Sequence, residues 1–390
     1  MRRLLFDTTR LQSSGLHTGI QRVVRSLIAA LKHQISGVDV QVLPVMFDGA
    51  QWLAYQGLVA HPLQGVTPDG AQYSAVRIDP GKGDTLLLFD ASWYGDPWPA
   101  VDRALAAGAR LCGMVHDLLP VEQPGWFREG LTDAFAAHLI AMARRADLLV
   151  APSIVVAERL RAYLRSVAAQ PDIQVLAHGG DFHPATLDTE PPLSVQRLIS
   201  IGDRQERQVF LTLGTLEPRK NHGVILDAFD SLWADGSSSE LVMVGREGWQ
   251  VEPLMQRIKS HPLLDRQLYH LENLDDASLK YLLRRVDALI YVSSDEGFGL
   301  PVLEAAQQGC PVIASDIPVL REVGGEWPCY VPAGDPVALR VALQSRLYLR
   351  PEKPAPSRTW AAVAQRLLSL LLNNGPDLHT TAQPTQTQRN

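Results

Sequence analysis

Short apolar segments of strand length alternate with amphipathic helical patterns along most of this 390-residue chain. The first predicted strand is Arg3–Phe6, and the first predicted amphipathic helix is Gly19–Lys32. Two adjacent parallel strands need a long crossover, usually a helix, so this regular alternation is typical of parallel sheets covered by helices on both faces. The pattern therefore predicts an α/β fold with doubly wound sheets.

The alternation runs through both halves of the chain, with a break near the middle. In the first half, further strands are predicted at Val40–Val45, Thr85–Asp90, Arg110–Val115, Leu148–Ala151 and Ile173–Leu176. The helical patterns of this half lie near residues 99–108, 131–146 and 153–168. In the second half, strands are predicted at Val209–Leu213, Glu240–Val244, Gln267–Leu271, Ala288–Val292 and Pro311–Ala314. Its helical patterns cover residues 222–234, 250–259, 276–285, 335–347 and 358–372.

The break between the two series gives the predicted domain organisation. Residues 1–185 form a first Rossmann-like domain, and residues 186–207, polar and without clear periodicity, form a linker. Residues 208–356 form a second Rossmann-like domain, followed by a separate helical segment at 357–373. The polar tail, residues 374–390, is expected to be disordered. Two doubly wound domains would face a central cleft at the carboxyl ends of their sheets, where ligands of such sheets bind.

Composition argues against several classes of protein. The net charge of −6 disfavours a nucleic-acid binder, which would present a basic face. No window approaches the ~18 uninterrupted apolar residues of a membrane span, and the apolar run within Met1–Asp7 is too short for a signal peptide. The three cysteines are far apart and lack metal-ligand spacing. We therefore expect a cytoplasmic protein without a metal site.

The segment from Ser294 to Glu304, with the sequence SDEGFGLPVLE, carries the clearest functional signal. It follows a predicted strand and leads into a helix in which Pro301 takes an early position, where its missing N–H costs no hydrogen bond. Such a glycine-rich turn offers free backbone N–H groups and the positive end of a helix dipole to an anion. Glu296 stands before the turn and Glu304 lies inside the helix. The segment predicts a phosphate site beside two carboxylates, which suits a nucleotide sugar.

Two adjacent cations, Arg219 and Lys220, follow the first predicted strand of the second half. Arginine supplies a bidentate fork and lysine a compact charge, so the pair can bind two phosphates and stabilise a leaving diphosphate. Taken alone, the pair is also typical of an exposed charged loop. Its place at the same sheet edge as the glycine-rich segment favours phosphate binding.

A glycoside hydrolase is an alternative reading of Glu296 and Glu304. Its two carboxyl groups must lie roughly 5–9.5 Å apart, whereas eight residues of helix would span ~12 Å. Part of the segment is loop, so spacing alone does not decide. A hydrolase needs neither the glycine-rich turn nor the cation pair, and we therefore disfavour it.

The first half offers weaker candidates at two predicted strand ends and one loop. A glycine loop around Gly19 leads into a helix that carries Arg22, but its spacing does not fit a dinucleotide-binding fingerprint. His116 ends a predicted strand and could bind a sugar hydroxyl, with Asp117 orienting its ring. A buried structural histidine is the alternative. His178 is a similar but weaker candidate.

Together these motifs resemble the retaining nucleotide-sugar glycosyltransferases of family 4, which have the GT-B fold, and the resemblance covers residues 1–372. Glu296 and Glu304 meet the family's E-x7-E pattern. Other matching segments are Leu213–His222, Gly245–Trp249 and Asp316–Val323. The segments Thr18–Arg25 and Val115–Pro120 are similar to a narrower set, the bacterial mannosyl- and rhamnosyltransferases of O-antigen, capsule or exopolysaccharide assembly.

The resemblance implies a role for each candidate residue. Glu296 would contact the donor sugar and stabilise charge at the reacting face, with His116 beside the sugar as the second catalytic residue. Glu304 would bind the nucleotide ribose, and Arg219 and Lys220 would bind the diphosphate. The other predicted donor-binding residues are Gly19, Gly297, Phe298, Gly299 and Leu300.

The resemblance also implies an activity. The first domain would bind the acceptor, the second would bind the donor, and helix 357–373 would cross back onto the first. The favoured reaction moves a hexose, mannose from GDP-mannose, onto a lipid-linked or growing polysaccharide with retention of configuration. It needs no protein nucleophile, cofactor or metal. The alternatives are a rhamnosyl- or glucosyltransferase that uses a dTDP- or UDP-sugar, and a non-catalytic nucleotide-sugar-binding scaffold.

The expected partners follow from this activity. They are a nucleotide-sugar donor, a saccharide acceptor and other glycosyltransferases of the pathway, with no nucleic acid. Peripheral contact with the inner membrane is a further expectation, through helices that carry Arg144, Arg145, Arg159, Arg161 and Arg165. A solvated face is the favoured reading of these arginines.

Overall fold

The structure, a computed structural model, describes residues 1–14, 19–35, 39–55, 75–182, 190–193, 195–196, 207–349 and 355–373. Strands of the first half are β1 (Arg2–Asp7), β2 (Val40–Phe47), β3 (Trp52–Tyr55), β4 (Ala75–Ile78), β5 (Asp84–Leu88), β6 (Arg110–Met114), β7 (Leu148–Ala151) and β8 (Asp172–Val175). Its helices are α1 (Thr9–Ser14), α2 (Gly19–Gln34), α3 (Trp98–Ala106), α4 (Leu119–Glu122), α5 (Leu131–Ala143) and α6 (Ile154–Ser166).

The second half repeats this alternation. Its strands are β9 (Val209–Leu213), β10 (Glu240–Val244), β11 (Leu268–Leu271), β12 (Ala288–Tyr291), β13 (Val312–Ser315) and β14 (Cys329–Val331). Its helices are α7 (His222–Ala234), α8 (Glu252–Lys259), α9 (Asp276–Leu283), α10 (Leu300–Gln307), α11 (Pro318–Gly324), α12 (Pro336–Gln344) and α13 (Trp360–Asn373). Every strand and helix predicted from the sequence is present, with its ends shifted by a few residues at most.

The first sheet has eight strands in the order β4-β3-β2-β1-β5-β6-β7-β8. Strands β2, β1, β5, β6, β7 and β8 run parallel to one another, whereas β3 and β4 extend the edge in antiparallel pairing. Strands β3 and β4 were not predicted from the sequence. Each has only four residues, which is too short to give a clear alternating signal.

The second sheet has six parallel strands in the order β11-β10-β9-β12-β13-β14. The order reverses between β9 and β12, which is the switch point where doubly wound sheets bind ligands. Strand β14, which has only three residues, and helix α11 were not predicted from the sequence.

Both faces of the sheets are covered. Leu86 and Leu87 of β5 point to opposite faces, and both are fully buried, in two different apolar clusters. In β9, Phe210 and Leu211 are divided between two clusters in the same way. This explains why these strands are continuous apolar runs in the sequence, because each side chain contributes about 1.5–3 kcal/mol when it is fully buried.

The last described helix, α13, packs on the first half of the chain. Trp360, Val363 and Leu367 belong to the same apolar cluster as Val24 of α2, and Arg110 Nη1 donates a hydrogen bond to the Leu371 carbonyl at 3.2 Å. The predicted return of the C-terminal helix to the first half is therefore confirmed.

Some predictions concern residues outside this description. The tail, residues 374–390, lies wholly outside the described residues, and most of the predicted linker at 186–207 does too. Among the helices that are described, none combines the length and the apolar character needed to cross a bilayer.

Asp7, at the carboxyl end of β1, is a buried carboxylate that should make stability depend on pH. Its side chain accepts hydrogen bonds from the Thr9 N–H and the Ser92 hydroxyl at 2.9 and 2.7 Å. Burial, reinforced by Asp90, nevertheless raises the pKa of Asp7 from 3.8 to about 6. The folded state thus binds this proton more tightly than the unfolded chain, and stability should fall as pH rises from about 4 to 6.

We expect Asp7→Asn to stabilise the protein by about 2–3 kcal/mol at about pH 8 and by less than about 1 kcal/mol near pH 4, because only the acid pays an ionisation cost. Urea unfolding of both proteins at the two pH values measures the difference. An effect of equal size at both would contradict the assignment.

Candidate active site

A cavity of about 830 Å³ lies between the two halves, at the carboxyl ends of both sheets. On the first side it is lined by residues that end or follow β5 and β6, among them Asp90 and His116. On the second side it is lined by residues that end or follow β9 and β12, among them Glu217 and Glu296. Its place at the carboxyl ends of both sheets, including the switch point of the second, makes it the candidate ligand site.

The structure brings nine of the ten predicted site residues to this cavity. They are Gly19, His116, Arg219, Lys220, Glu296, Gly297, Phe298, Gly299 and Leu300. The tenth, Glu304, is absent from the cavity wall.

Glu296 is the centre of a buried network of charged groups. Arg219 Nη1 donates to its carboxylate at 2.8 Å, Lys220 Nζ donates to the other oxygen, and the Tyr291 hydroxyl donates to that same oxygen at 2.8 Å. Burial alone would raise the pKa of Glu296, but the two cations overcome this and lower it to about 2. Glu296 is therefore ionised throughout the neutral range and is unsuited to acid–base catalysis.

The cations are held by the turns that follow β9 and β12. A short 3-10 turn covers Pro218–Lys220 and ends at Asn221, which has a left-handed backbone with φ 57°. The Ser294 N–H donates to the Arg219 carbonyl at 2.7 Å, and the Asn221 amide donates to the Val292 carbonyl at 2.8 Å. These hydrogen bonds hold the turn after β9 next to the turn after β12, and this places Arg219 beside Glu296.

Arg219 has a second carboxylate partner that the sequence analysis did not assign. Glu217 is buried, and one of its oxygens lies 2.7 Å from Arg219 Nη2. Burial raises the pKa of Glu217, with Arg219 and Lys220 acting against the rise. Because Glu217 stands two residues before Arg219, its pairing with that residue could have been predicted from the sequence. Tyr291 lies at the end of a buried strand, and nothing in the sequence distinguishes it from a core residue.

The glycine-rich turn leads into α10 as predicted. Gly299 has φ 91° at the start of the helix, and Pro301 is in its first turn. Gly297 lies against the first half of the chain, where a Cβ atom in its place would be 2.0 Å from the His116 carbonyl oxygen. Glycine is therefore needed at this position for the two halves to approach as they do.

His116 is held by a main-chain carbonyl. Its Nε2 lies 2.8 Å from the Phe89 carbonyl, so Nε2 carries the proton and Nδ1 keeps its lone pair. Burial lowers the pKa of His116, which keeps the ring neutral. The prediction that Asp117 orients this ring is wrong, because the Asp117 carboxylate accepts the Leu119 N–H at 3.1 Å instead.

His178 also lines the cavity, but aromatic packing surrounds it. Its ring centroid lies 4.9 Å from that of Phe298 and 5.8 Å from that of Trp360. Burial is the main cause that lowers the pKa of His178 well below its ordinary value. The neutral ring joins the glycine-rich turn to α13.

Glu304 lies inside α10 and is not among the residues that line the cavity. It is 3% exposed, and Arg22 of α2 lies 3.1 Å from one of its oxygens. Arg22 also pairs with Asp276 of α9 at 3.2 Å. Burial raises the pKa of Glu304, and Arg22 opposes the rise. Contact between Glu304 and a nucleotide ribose stays a prediction.

Gly19 begins α2 at the cavity, and a buried acid fixes this end of the helix. The Gln21 amide donates to Asp90 Oδ1 at 3.0 Å, and the Leu11 N–H donates to Asp90 Oδ2 at 2.6 Å. The sequence identified Asp90 only as a strand end, and missed its part in placing Gly19.

Aromatic rings form much of the wall on the first side. Trp93, Tyr94 and Phe135 line the cavity, and the guanidinium of Arg10 lies 4.4 Å from the centre of the Tyr94 ring. Phe127 stacks on Trp249 of the second half, with ring centroids 6.0 Å apart. These rings were missed because they come from separate segments of the chain, which only the tertiary fold brings together.

Two of the arginines considered for membrane contact are ion-paired. Arg145 pairs with Asp102, with Nε to Oδ1 at 2.6 Å, and Arg159 pairs with Asp295 at 2.9 Å.

Within the described parts of the chain, no group of three or more His, Cys, Asp or Glu residues could hold a metal ion.

Comparison with known proteins gives one family match and two curated relatives of note. Residues 199–346 match the family model for "Glycosyl transferases group 1". The chain is 33% identical over 386 residues to the serotype-specific mannosyltransferase WbdA of Escherichia coli, covering 95% of this chain but 46% of that protein. It is 33% identical over 153 residues to the O-antigen chain mannosyltransferase RfbU of Salmonella typhimurium, covering 39% of this chain and 42% of the relative. The chain thus spans about half the length of these curated relatives.

The fold also matches a solved structure. Sucrose-phosphate synthase from Thermosynechococcus elongatus aligns with a TM-score of 0.62 over 96% of this chain and 99% of its own, at 16% identity. At that identity the likeness concerns the fold alone.

Proposed function

We propose, from the match of residues 199–346 to the group 1 glycosyltransferase family and from the fold, that the protein is a retaining hexosyltransferase with the GT-B fold. It moves mannose from GDP-mannose onto a saccharide acceptor in bacterial surface glycan synthesis. The observation that carries the proposal is the cluster of Glu296, Arg219 and Lys220 at the switch point of the second sheet.

Arg219 and Lys220 are proposed to bind the diphosphate of the donor. Their side chains, 16% and 10% exposed, lie beside the glycine-rich turn at the start of α10, which offers N–H groups to the same anion. Glu296 forms ion pairs with both cations. The diphosphate therefore competes with Glu296 for them, and it leaves the carboxylate free to face the sugar.

Glu296 is proposed to act as a fixed negative charge. With a pKa of about 2 it can accept hydrogen bonds from sugar hydroxyls and stabilise positive charge at the anomeric carbon as the diphosphate leaves. The acceptor hydroxyl attacks from the face on which the diphosphate departs, and its proton passes to a phosphate oxygen. Configuration is then retained without a protein nucleophile, and Arg219 and Lys220 neutralise the leaving group without a metal.

His116 is proposed to bind the donor sugar through Nδ1. Because Nε2–H is donated to the Phe89 carbonyl, the free lone pair on Nδ1 is an acceptor for a sugar hydroxyl. The ring stays neutral, so this contact is a hydrogen bond rather than an ion pair.

The acceptor is proposed to lie along the aromatic wall of the first half, formed by Trp93, Tyr94 and Phe127. Such rings offer flat apolar faces for sugar rings, with polar groups at their edges. We propose a lipid-linked or growing surface saccharide as the acceptor, in line with the name of RfbU, an O-antigen chain mannosyltransferase. Transfer would then take place at the cytoplasmic face of the inner membrane.

The choice of mannose rests on the names of the two relatives, both mannosyltransferases. A test that includes GDP-mannose, UDP-glucose and dTDP-rhamnose separates the proposed donor from the alternatives. We expect GDP-mannose and GDP to raise the melting temperature by several degrees at saturation, because a ligand at 100 times its dissociation constant contributes about 2.7 kcal/mol. The panel is run in EDTA, since the proposal uses no divalent cation.

Lys220→Gln and Lys259→Gln provide the matched pair for this panel. Lys259 is exposed and its nearest acid, Glu247, lies 3.8 Å away, so its loss should leave the GDP-induced shift unchanged. Lys220→Gln should abolish most of it. Stabilisation by UDP- or dTDP-sugars alone would replace mannose with another sugar, and no shift with any donor would remove the transferase proposal.

A further inference from the structure

The first half of the chain makes a hydrogen bond and an ion pair to the segment that carries Glu296. At the carboxyl end of β7, the Ser153 hydroxyl donates to the Gly297 carbonyl at 3.0 Å. One turn into α6, Arg159 pairs with Asp295. Glu296 therefore lies between two residues that are both held from across the cleft.

The contact between Arg159 and Asp295 is bidentate. Nη1 and Nη2 of Arg159 donate to Oδ1 and Oδ2 of Asp295 at 3.1 and 2.9 Å. Arg159 Nε also donates to Glu122 at 3.0 Å, so the guanidinium plane is fixed on a second side. A paired fork of this kind sets orientation as well as distance.

Asp295 in turn makes a hydrogen bond to the main chain of Glu296. Its Oδ1 also accepts the backbone N–H of Glu296 at 2.7 Å, and its carbonyl accepts Arg219 Nη1 at 3.2 Å. A single carboxylate thus joins Arg159 of one half to the main chain of Glu296 in the other.

The helix that carries Arg159 is itself anchored to the second half. The Ile154 and Val155 N–H groups at the start of α6 donate to the Glu322 carboxylate at 2.7 and 3.1 Å. Because an acid at this position also suits the helix dipole, α6 has a fixed place when the two halves are together. Arg159 then reaches Asp295 in this arrangement of the halves.

We propose that Arg159 is a positioning residue for the transfer reaction: through Asp295 it orients Glu296, and it makes that orientation depend on the closure of the cleft. This rests on the proposed function. Neither Arg159 nor Asp295 lines the cavity, so neither binds the donor directly. Their loss should lower kcat and leave nucleotide affinity nearly unchanged.

The test compares Arg159→Gln with Arg145→Gln. Arg145 makes a bidentate pair with Asp102, at 2.6 and 2.9 Å, on the first half and away from the Glu296 segment. We expect Arg159→Gln to reduce kcat on the order of 10- to 100-fold, because small misplacement of a reacting group has effects of this size. The Kd for GDP should change less than about twofold, and Arg145→Gln should retain its kcat within about twofold.

Arg159→Lys restores one of the two contacts and should recover part of kcat, which a purely structural role would not require. If Arg159→Gln does not fold, the kcat of Arg159→Lys is compared with that of Arg145→Gln instead. Equal kcat values for Arg159→Gln and Arg145→Gln, in an active wild type, would overturn the positioning role alone. An inactive wild type that binds no nucleotide sugar would overturn the proposed function first.

Discussion

Glu296→Gln is expected to lose most transfer activity and, at the same time, to bind GDP more tightly than the wild type. The substitution keeps the shape of the side chain but removes the negative charge proposed to face the anomeric carbon. Loss of one such preorganised group costs about 10²- to 10³-fold in kcat. Single-turnover transfer with saturating GDP-mannose measures this loss.

The gain in GDP affinity follows from the ion pairs that Glu296 makes with Arg219 and Lys220. Arg219 and Lys220 are both bonded to Glu296, so a diphosphate must displace that carboxylate from them. With glutamine in its place the competitor is neutral, and we expect GDP to bind roughly tenfold more tightly, or about 1.4 kcal/mol. Calorimetric titration of GDP into both proteins gives the comparison.

Although Glu296→Gln should raise the affinity for GDP, it should lower the stability of the folded protein. Removing one partner of a buried ion pair leaves uncompensated charge, which typically costs about 3–5 kcal/mol. Glu296→Gln should therefore melt at a lower temperature without ligand and show a larger shift with GDP.

Glu240→Gln is the control for these measurements, since Glu240 is a buried acid in β10 that pairs with Arg207 at 3.0 Å outside the cavity. It should be destabilised without any gain in GDP affinity. Weaker GDP binding by Glu296→Gln would contradict the competition between carboxylate and diphosphate.

Features carried by one continuous segment could be predicted from the sequence. The strand–helix alternation identified the parallel strands, and the sequence from Ser294 to Glu304 identified the turn and the start of α10. The adjacent Arg219 and Lys220 were placed correctly because both follow one buried strand. Each of these inferences needs only the local rule that strand ends and helix starts lie at the same edge of a parallel sheet.

Contacts between distant segments could not be predicted in this way. Arg159 and Asp295 are 136 positions apart, and Arg22 and Glu304 are 282 positions apart. Glu304 illustrates the difference. It lies four residues beyond Leu300, which lines the cavity, and four residues of helix advance about 6 Å along the axis. The packing of α10 against α2, which the sequence does not specify, then brings Glu304 to Arg22.

Gly297→Ala is the second change with a large expected effect, because it acts on the approach of the two halves. A Cβ atom at this position would lie 2.0 Å from the His116 carbonyl oxygen and 3.1 Å from the Asp117 Cβ atom. The first contact is with the main chain and cannot be relieved by a rotamer change. The halves must therefore separate by about 1 Å or more, and a displacement of this size near reacting groups can cost about 10²-fold in rate.

We expect Gly297→Ala to reduce transfer about 100-fold or more while GDP still binds through Arg219 and Lys220. Gly223→Ala is the matched control, because a Cβ atom there meets nothing within 4 Å, and it should transfer at the wild-type rate. Small-angle scattering with GDP bound should show a more open Gly297→Ala protein. Wild-type transfer by Gly297→Ala would mean that the reaction does not require the contact between the glycine-rich turn and His116. In that case the close approach of Gly297 to the His116 carbonyl across the cleft would have no part in aligning Glu296 with the donor.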